Sequence, residues 1–317
     1  MKVILAPYGV PAEGFAQLEK EYRVCIPPVG ETFSPEEMES LLPQAVALVA
    51  TRPITAEMMA QAPCLKVVMA YGAGFDNIDL KAATARGIPV GNVPDTVTAA
   101  TAEIAIGLML ATMRRIAELN ERLHREKPES LIRMGLNMGT SLEGATLGII
   151  GMGRIGKRTA DIAMALGMKI LYTSHSPKAE RDQLGNRFVS LEELLRESDV
   201  VSLHCPSNEE TFHLMNTQRL AMMKPTAFLI NTGRGKLVED DALIEALRNR
   251  KIAGAGLDVF HDEPHMDARY QELDNAVLLP HVGSNTPQTR FKMAQAISRN
   301  ILQVLSGGKP ENWVNPF

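Results

Sequence analysis

The residues Gly151-Met152-Gly153-Arg154-Ile155-Gly156 follow directly on the apolar run Thr146-Leu147-Gly148-Ile149-Ile150. Beyond them Ile155, Thr159, Ile162 and Leu166 recur at helical spacing. A lone G-x-G-x-x-G is a weak signal, but a strand before it and a helix after it are the context that makes it specific for a dinucleotide. Gly151 serves the tight turn, Gly153 lets a pyrophosphate reach the backbone, and Gly156 lets helix and strand pack closely. Free N–H groups and the positive dipole end at Arg154 and Ile155 attract the anion. Gly254-Ala255-Gly256 lacks both the third glycine and a following helix, so it reads as strand packing.

The next expected strand, Lys169-Thr173, ends in Ser174-His175-Ser176-Pro177-Lys178. An NAD-selective site usually places Asp or Glu here to bind the ribose hydroxyls. A carboxylate would repel a 2′-phosphate, whereas Ser174, His175, Ser176 and a lysine accept one. The turn therefore favours NADP over NAD, or use of both. His204, at the end of the expected strand Val200–His204, is read with Cys205 and Pro206 as a wall of the cofactor pocket.

Three ionisable side chains lie just past later expected strands. Arg234 sits in Asn231-Thr232-Gly233-Arg234-Gly235, Glu263 in Asp258-Val259-Phe260-His261-Asp262-Glu263-Pro264, and His281 in Leu279-Pro280-His281-Val282-Gly283. Ligands of open parallel sheets bind outside the carboxyl ends of the strands, so the three should converge beside the dinucleotide. Arg234 can hold a 2-keto acid carboxylate by two parallel N–H bonds and polarise the carbonyl. Hydride delivered to the keto carbon leaves an alkoxide, which needs a proton donor such as His281. A carboxylate at Glu263 favours the imidazolium and fixes the ring tautomer. Thr232, Gly233, Asp258, Gly283 and His281 count as further cofactor contacts. Each of these residues alone also reads as an ordinary turn or surface residue; the pointer is their combination behind the fingerprint. His124, His213, His261 and His265 have no such placement. No metal site is expected.

The elements that must position these residues alternate strand and helix almost throughout, which implies βα units and parallel sheets. Early strands are expected near Val3–Ala6, Ala47–Ala50, Lys66–Ala70 and Pro89–Asn92. Ser34-Pro35-Glu36-Glu37 and Thr55-Ala56-Glu57 have the form of helix N-termini. One long helix, apolar nearly all round at first, is expected from about Ala99 to Leu123, buried between two bodies. Glu126 to Glu143 reads as a crossing loop. Later strands fall at Ala227–Asn231, Gly254–Val259 and Val277–Leu279, and a last helix at Gln288–Leu305.

Composition narrows the partners. The 317 residues suffice for two modest domains, and 45% hydrophobic with 22% charged residues is an ordinary globular balance. A net charge of -4 without long basic runs points away from nucleic acid and anionic membranes. Cys25, Cys64 and Cys205 are odd in number and widely spaced, which suits a reduced cytoplasmic protein. The apolar start Val3-Ile4-Leu5-Ala6 is too short for a signal-peptide core.

With these motifs in place the sequence resembles the D-isomer-specific 2-hydroxyacid dehydrogenase family, over roughly residues 40–305. Tyr71-Gly72-Ala73-Gly74-Phe75-Asp76-Asn77-Ile78-Asp79 is similar to the family's substrate loop, and Thr98–Glu103 to the opening of its interdomain helix. The resemblance implies that Tyr71, Gly72, Ala73, Gly74 and Arg234 bind substrate, with Ala73 and Gly74 acting through backbone N–H groups. It places Thr101 near the cofactor and makes Arg234, Glu263 and His281 catalytic. It further implies two Rossmann-like or flavodoxin-like domains. A cofactor domain, 99–285, is inserted into a discontinuous substrate domain, 1–98 with 286–317. The implied reaction is hydride exchange between NAD(P)H and a small 2-keto or D-2-hydroxy acid such as glyoxylate or hydroxypyruvate, in a homodimer. Two departures stand out: no carboxylate at Ser174, and no tryptophan near Arg133–Thr140, where some relatives carry one. The second reading is an NAD(H)-sensing corepressor module with the same residues, which the lack of long disordered flanks disfavours; the third is an α/β protein with a vestigial site.

Overall fold

The computed structural model describes residues 2–317. The chain divides into two compact units, Met1–Val97 with Ser284–Phe317, and Thr98–Gly283. The first holds strands β1 (Val3–Leu5), β2 (Arg23–Cys25), β3 (Ala45–Ala50), β4 (Val67–Ala70) and β5 (Val90–Gly91). They form a parallel sheet of order β2-β1-β3-β4-β5. Strands covered on both faces need apolar residues at every position, and β1, β3 and β4 are buried at every residue. Alternation then splits the core. Leu5, Leu48, Ala50, Val68 and Ala70 join one apolar cluster, while Ile4, Ala47, Val49, Val67 and Met69 join another. The helix Pro287–Leu305 contributes Met293, Ala294, Ile297 and Ile301 to the second cluster.

The other unit holds β6 (Thr146–Ile150), β7 (Lys169–Thr173), β8 (Arg187–Phe188), β9 (Val200–Leu203), β10 (Phe228–Asn231), β11 (Gly254–Leu257) and β12 (Ala276–Leu278). Their order is β12-β11-β10-β9-β6-β7-β8, again parallel. From β6 the chain proceeds outward to β7 and β8, then returns to lay β9 on the other side of β6. The crevice at such a reversal is where doubly wound sheets bind dinucleotides. The fingerprint follows β6 and His204 follows β9, one on each side of the reversal.

The helix Pro94–Met113 is long and apolar enough to cross a membrane, yet more than half of it is buried within the chain. A Cβ at Gly256 would stand 2.9 Å from Leu108 Cβ, so the glycine in β11 is what lets this helix lie close. The continuous helix expected to Leu123 is instead two, Pro94–Met113 and Ile116–Arg125. Arg115 adopts left-handed backbone, φ 56°, and its guanidinium bonds Glu118 at 2.6 and 2.7 Å. The returning chain caps the first helix, with the Thr140 N–H donating to the Met113 carbonyl at 2.8 Å. Two edge strands, β2 and β8, are also absent from the expectation. They have three and two residues and carry exposed positions, so neither shows a buried apolar run.

Candidate active site

The fingerprint turn is built by glycines with different constraints. Gly151 has φ +99°, and a Cβ there would fall 2.5 Å from the Cys205 nitrogen. A Cβ at Gly156 would fall 2.2 Å from the Gly151 carbonyl oxygen. Both positions are closed by the protein itself. Gly153 differs: a Cβ there would meet nothing within 4 Å. It is the N-cap of the helix Arg154–Ala165 and offers no capping side chain. The helix therefore starts, with its positive dipole end, at a residue without a side chain and with open space where a Cβ would stand. Thr232, after β10, is buried with an Oγ1 that has no hydrogen-bond partner among the described residues. An open glycine cradle at a helix start and an orphaned buried hydroxyl fit a bound dinucleotide.

After β7, Ser174 donates its Oγ hydrogen to the Ser176 carbonyl at 2.7 Å. Lys178 places Nζ 3.3 Å from Ser176 Oγ. His175 and Ser176 are exposed. Across the reversal, His204 Nε2 lies 2.9 Å from Ser202 Oγ, and desolvation pushes the His204 pKa down to about 4. The ring is thus neutral near pH 7 and carries a single N–H. Burial raises the Cys205 thiol to about 11, so it stays protonated and unreactive. The Pro206 carbonyl accepts from Thr211 Oγ1 at 2.8 Å.

The Arg234 loop is held by Asn231, which is buried at the end of β10. Its Nδ2 donates to the Arg234 carbonyl at 2.9 Å and its Oδ1 accepts the Gly233 N–H at 3.0 Å. The Arg234 guanidinium also donates to the Gly233 carbonyl at 2.9 Å. A Cβ at Gly235 would lie 1.9 Å from the Phe260 carbonyl carbon. Only glycine lets this loop pack against the Phe260–His261 backbone, and so brings Arg234 beside the loop bearing Glu263.

Glu263 is fixed at both oxygens. Oε1 accepts the Phe260 N–H at 2.9 Å, and Oε2 stands 2.5 Å from His281 Nδ1. Burial pushes this carboxyl up, but the His281 hydrogen bond and charge, the Phe260 N–H and Arg234 outweigh it and hold it below the ordinary range. With Nδ1 engaged, Nε2 is the ring atom left for proton exchange. The His281 side chain is 49% exposed, so the ring is open on one side.

His281 has φ 53°, a left-handed conformation unusual outside glycine and a small backbone strain. Asp258 sustains it. That carboxylate is buried after β11 and takes the Val282 and Gly283 N–H groups, each at 2.8 Å. Burial raises the Asp258 carboxyl, opposed by those two N–H groups and by His281. The sequence reading makes Asp258 a cofactor contact; in the structure it holds the His281 loop with both oxygens. Gly283 is hemmed in by the same carboxylate and by Thr101, whose methyl group would be 3.4 Å from an added Cβ. Neither Asn231 nor the clamping role of Asp258 is evident from sequence. Their signal, a polar residue closing an apolar strand, is weak without the partners in view.

Tyr71–Gly74 lies in the other unit, after β4. The Gly72 carbonyl accepts the Val93 N–H at 3.0 Å, and the Ala73 carbonyl accepts Asn92 Nδ2 at 2.7 Å. Gly72 has φ +150°. Among the described residues no backbone carbonyl takes the N–H of Ala73 or Gly74. The Tyr71 side chain is half-buried. Its ring packs on the core cluster with the hydroxyl buried, and the Arg290 guanidinium lies 5.4 Å from the ring centre.

A doubly wound sheet, a glycine cradle at its reversal and a histidine–carboxylate pair beside an arginine loop define an NAD(P)-dependent oxidoreductase. The family described as D-isomer specific 2-hydroxyacid dehydrogenase, NAD binding domain, matches residues 106–283. Glyoxylate reductase of Thermococcus litoralis is 40% identical over 316 residues, covering 96% of this chain and 94% of that one. Among solved structures, a protein from Thermus thermophilus superposes with a TM-score of 0.90 at 40% identity, over 99% of this chain and 100% of its own. An NADPH-dependent glyoxylate/hydroxypyruvate reductase from Sinorhizobium meliloti, solved with NADP and malonate, gives 0.87 at 30% identity, over 100% and 98%. The chain belongs to the D-isomer specific 2-hydroxyacid dehydrogenase family.

Proposed function

We propose that this protein reduces glyoxylate and hydroxypyruvate-like 2-keto acids, using NADPH at least as well as NADH. The observation that carries the reading is the pair His281 Nδ1 and Glu263 Oε2, set beside the Arg234 loop in the unit that bears the dinucleotide fingerprint. The glyoxylate reductase names of relatives at about this length support the substrate class, and the Ser174–Lys178 turn, with no carboxylate at its start, supports NADPH.

The bound nicotinamide cofactor supplies the hydride. Gly151, Gly153 and Gly156 with the N–H groups of Arg154 and Ile155 would hold its pyrophosphate, and Ser174, His175, Ser176 and Lys178 its ribose end. Thr101, His204, Cys205, Pro206, Thr232, Gly233 and Gly283 would line the remainder. Arg234 binds the substrate carboxylate and draws electron density toward the carbonyl oxygen. His281 donates its Nε2 proton to that oxygen as negative charge develops there. Glu263 stabilises the imidazolium before transfer and keeps the ring oriented afterwards. In the reverse direction neutral His281 accepts the hydroxyl proton. Tyr71–Gly74 is the proposed substrate loop, acting through the Ala73 and Gly74 N–H groups.

We place the protein in the cytoplasm, which its three unpaired cysteines suit. We also propose a homodimer. Ile132, Met134, Leu136 and Met138 are exposed on the crossing segment, and Ile116 and Leu123 on the helix before it. Apolar side chains in such number on one stretch of a chain mark an association surface.

The test is turnover of glyoxylate, hydroxypyruvate and larger 2-keto acids with each cofactor, read as kcat/KM. Arg234→Lys should raise KM for every acid at every pH, since lysine cannot make the bidentate contact. Cofactor binding without turnover of any acid would overturn the reading.

A further inference from the structure

The short helix after the ribose turn carries two carboxylates, and both are engaged: Asp182 Oδ1 accepts the Tyr172 hydroxyl at 2.8 Å, and Glu180 is held by a lysine. Glu180 follows the turn on the short helix Ala179–Asp182. Its Oε1 lies 2.6 Å from the Nζ of Lys157, which sits in the first turn of the fingerprint helix. A second, more buried strap runs parallel to it, Arg181 to Asp161 at 2.6 Å, with the arginine also donating to Asn186 at 2.9 Å. Backbone anchoring comes from Tyr172, whose hydroxyl accepts the Lys178 N–H at 2.6 Å. The turn is therefore placed by the Arg181 strap and by Tyr172. The Lys157–Glu180 pair is solvent-facing, with 39% and 57% of the two side chains exposed, and adds little to stability. What it governs is charge.

We infer that Lys157 and Glu180 act together as a specificity-determining pair: Lys157 holds the Glu180 carboxylate away from Lys178, leaving that lysine as the cation for the 2′-phosphate of NADPH. The inference rests on the proposed use of the Ser174–Lys178 turn for that phosphate. Its geometry is local. Lys178 places Nζ on Ser176 Oγ at 3.3 Å, at the tip of the turn, and Glu180 is two residues further on. The Glu180 carboxyl is held below the ordinary range first by its hydrogen bond from Lys157, then by its backbone N–H, with the charges of Lys157 and Lys178 adding. Both lysines thus compete for one carboxylate, and Lys157 holds it. Freed from Lys157, Glu180 would pair with Lys178 and bring negative charge to the turn. NADH, which has no 2′-phosphate, would be little affected.

The test is a double-mutant cycle read by binding. Calorimetric titration gives Kd for 2′,5′-ADP and for 5′-AMP, and fluorescence titration gives Kd for NADPH and NADH, on the parent, Lys157→Met, Glu180→Gln and the double variant. Lys157→Met should weaken the phosphate-bearing member of each pair by about three- to tenfold relative to its partner, the scale of one unit charge within a Debye length. Glu180→Gln should leave that ratio unchanged or raise it. The double variant should return to within about twofold of the parent. If Lys157→Met and the double variant lower the ratio equally, Lys157 touches the phosphate directly and the relay is wrong. An unchanged ratio in all variants overturns it as well. The parent's own ratio separately tests NADPH use: a parent that strongly favours NADH defeats that reading, whereas the change on mutation judges the pair.

Discussion

Asp258 Oδ2 accepts the Gly283 N–H at 2.8 Å, and the same residue's Oδ1 accepts the Val282 N–H at the same distance. One buried carboxylate at the end of β11 thereby fixes the backbone directly after His281 in its left-handed conformation. Asp258→Asn keeps the size but replaces one acceptor with a donor facing an N–H. Leaving a buried donor unsatisfied costs about 1–3 kcal/mol. The expected result is a kcat lower by about ten- to a hundredfold, a modest fall in Tm, and an unchanged KM for the keto acid. A kcat equal to that of the parent would show that the clamp is dispensable.

Exchange of the acid itself should be more severe. His281→Ala is expected to lower kcat by about 10²- to 10⁴-fold, the usual scale for losing a general acid, with cofactor affinity retained. His204 is not expected to take over, because desolvation holds its ring neutral at neutral pH, without the charge of an imidazolium. Comparable losses in kcat for His204→Asn would reverse this assignment.

The Glu263 carboxyl, held below the ordinary range, is ionised in the neutral region and sets its negative charge on His281 Nδ1. Glu263→Gln removes the charge but keeps a polar side chain. Without the charge the protonated ring is no longer paired with an anion. The alkaline limb of keto-acid reduction should therefore move to lower pH. Oxidation of the hydroxy acid, which needs neutral imidazole, should extend to lower pH as well. Both shifts are read from kcat/KM profiles in the two directions, and two unmoved profiles would disprove the pairing.

The fingerprint glycines should fail in different ways. Nothing lies within 4 Å of a Cβ at Gly153, so Gly153→Ala should keep the parent Tm while weakening NADPH binding by about tenfold or more. A Cβ at Gly156 collides with the Gly151 carbonyl at 2.2 Å, so Gly156→Ala should lower Tm by several degrees. Thermal melts with cofactor titrations distinguish the two, and identical behaviour would contradict the assigned division of roles.

Ser174→Asp places a carboxylate at the end of the second strand. It should shift the NADPH-to-NADH ratio of kcat/KM toward NADH by about tenfold, through repulsion of the 2′-phosphate. An unchanged ratio would mean that the phosphate is not held at this turn.

Much of this was legible in the residue order. Strands buried on both faces must be largely apolar, so β3 and β4 stand out as unbroken runs, and β6 and β9 as runs interrupted only by Thr146 and Ser202 among small or apolar residues. Ser34 with Glu37 encodes a capping box locally, and the structure contains both of its hydrogen bonds. The motif Gly151–Gly156 is local for the same reason: turn, cradle and helix start are consecutive in the chain. Other features depend on groups far apart in sequence. The helix break at Arg115 relies on Thr140 returning to cap Met113, and the short strands β2 and β8 exist only because β1 and β7 offer them an open edge. The need for glycine at Gly235 is visible only when Phe260 is set against it. Asp258 and Asn231 close apolar strands and look alike in sequence. Which one clamps the His281 loop and which the Arg234 loop was decided by tertiary structure, because a carboxylate or amide is assigned its task by the N–H groups that folding brings within hydrogen-bond reach.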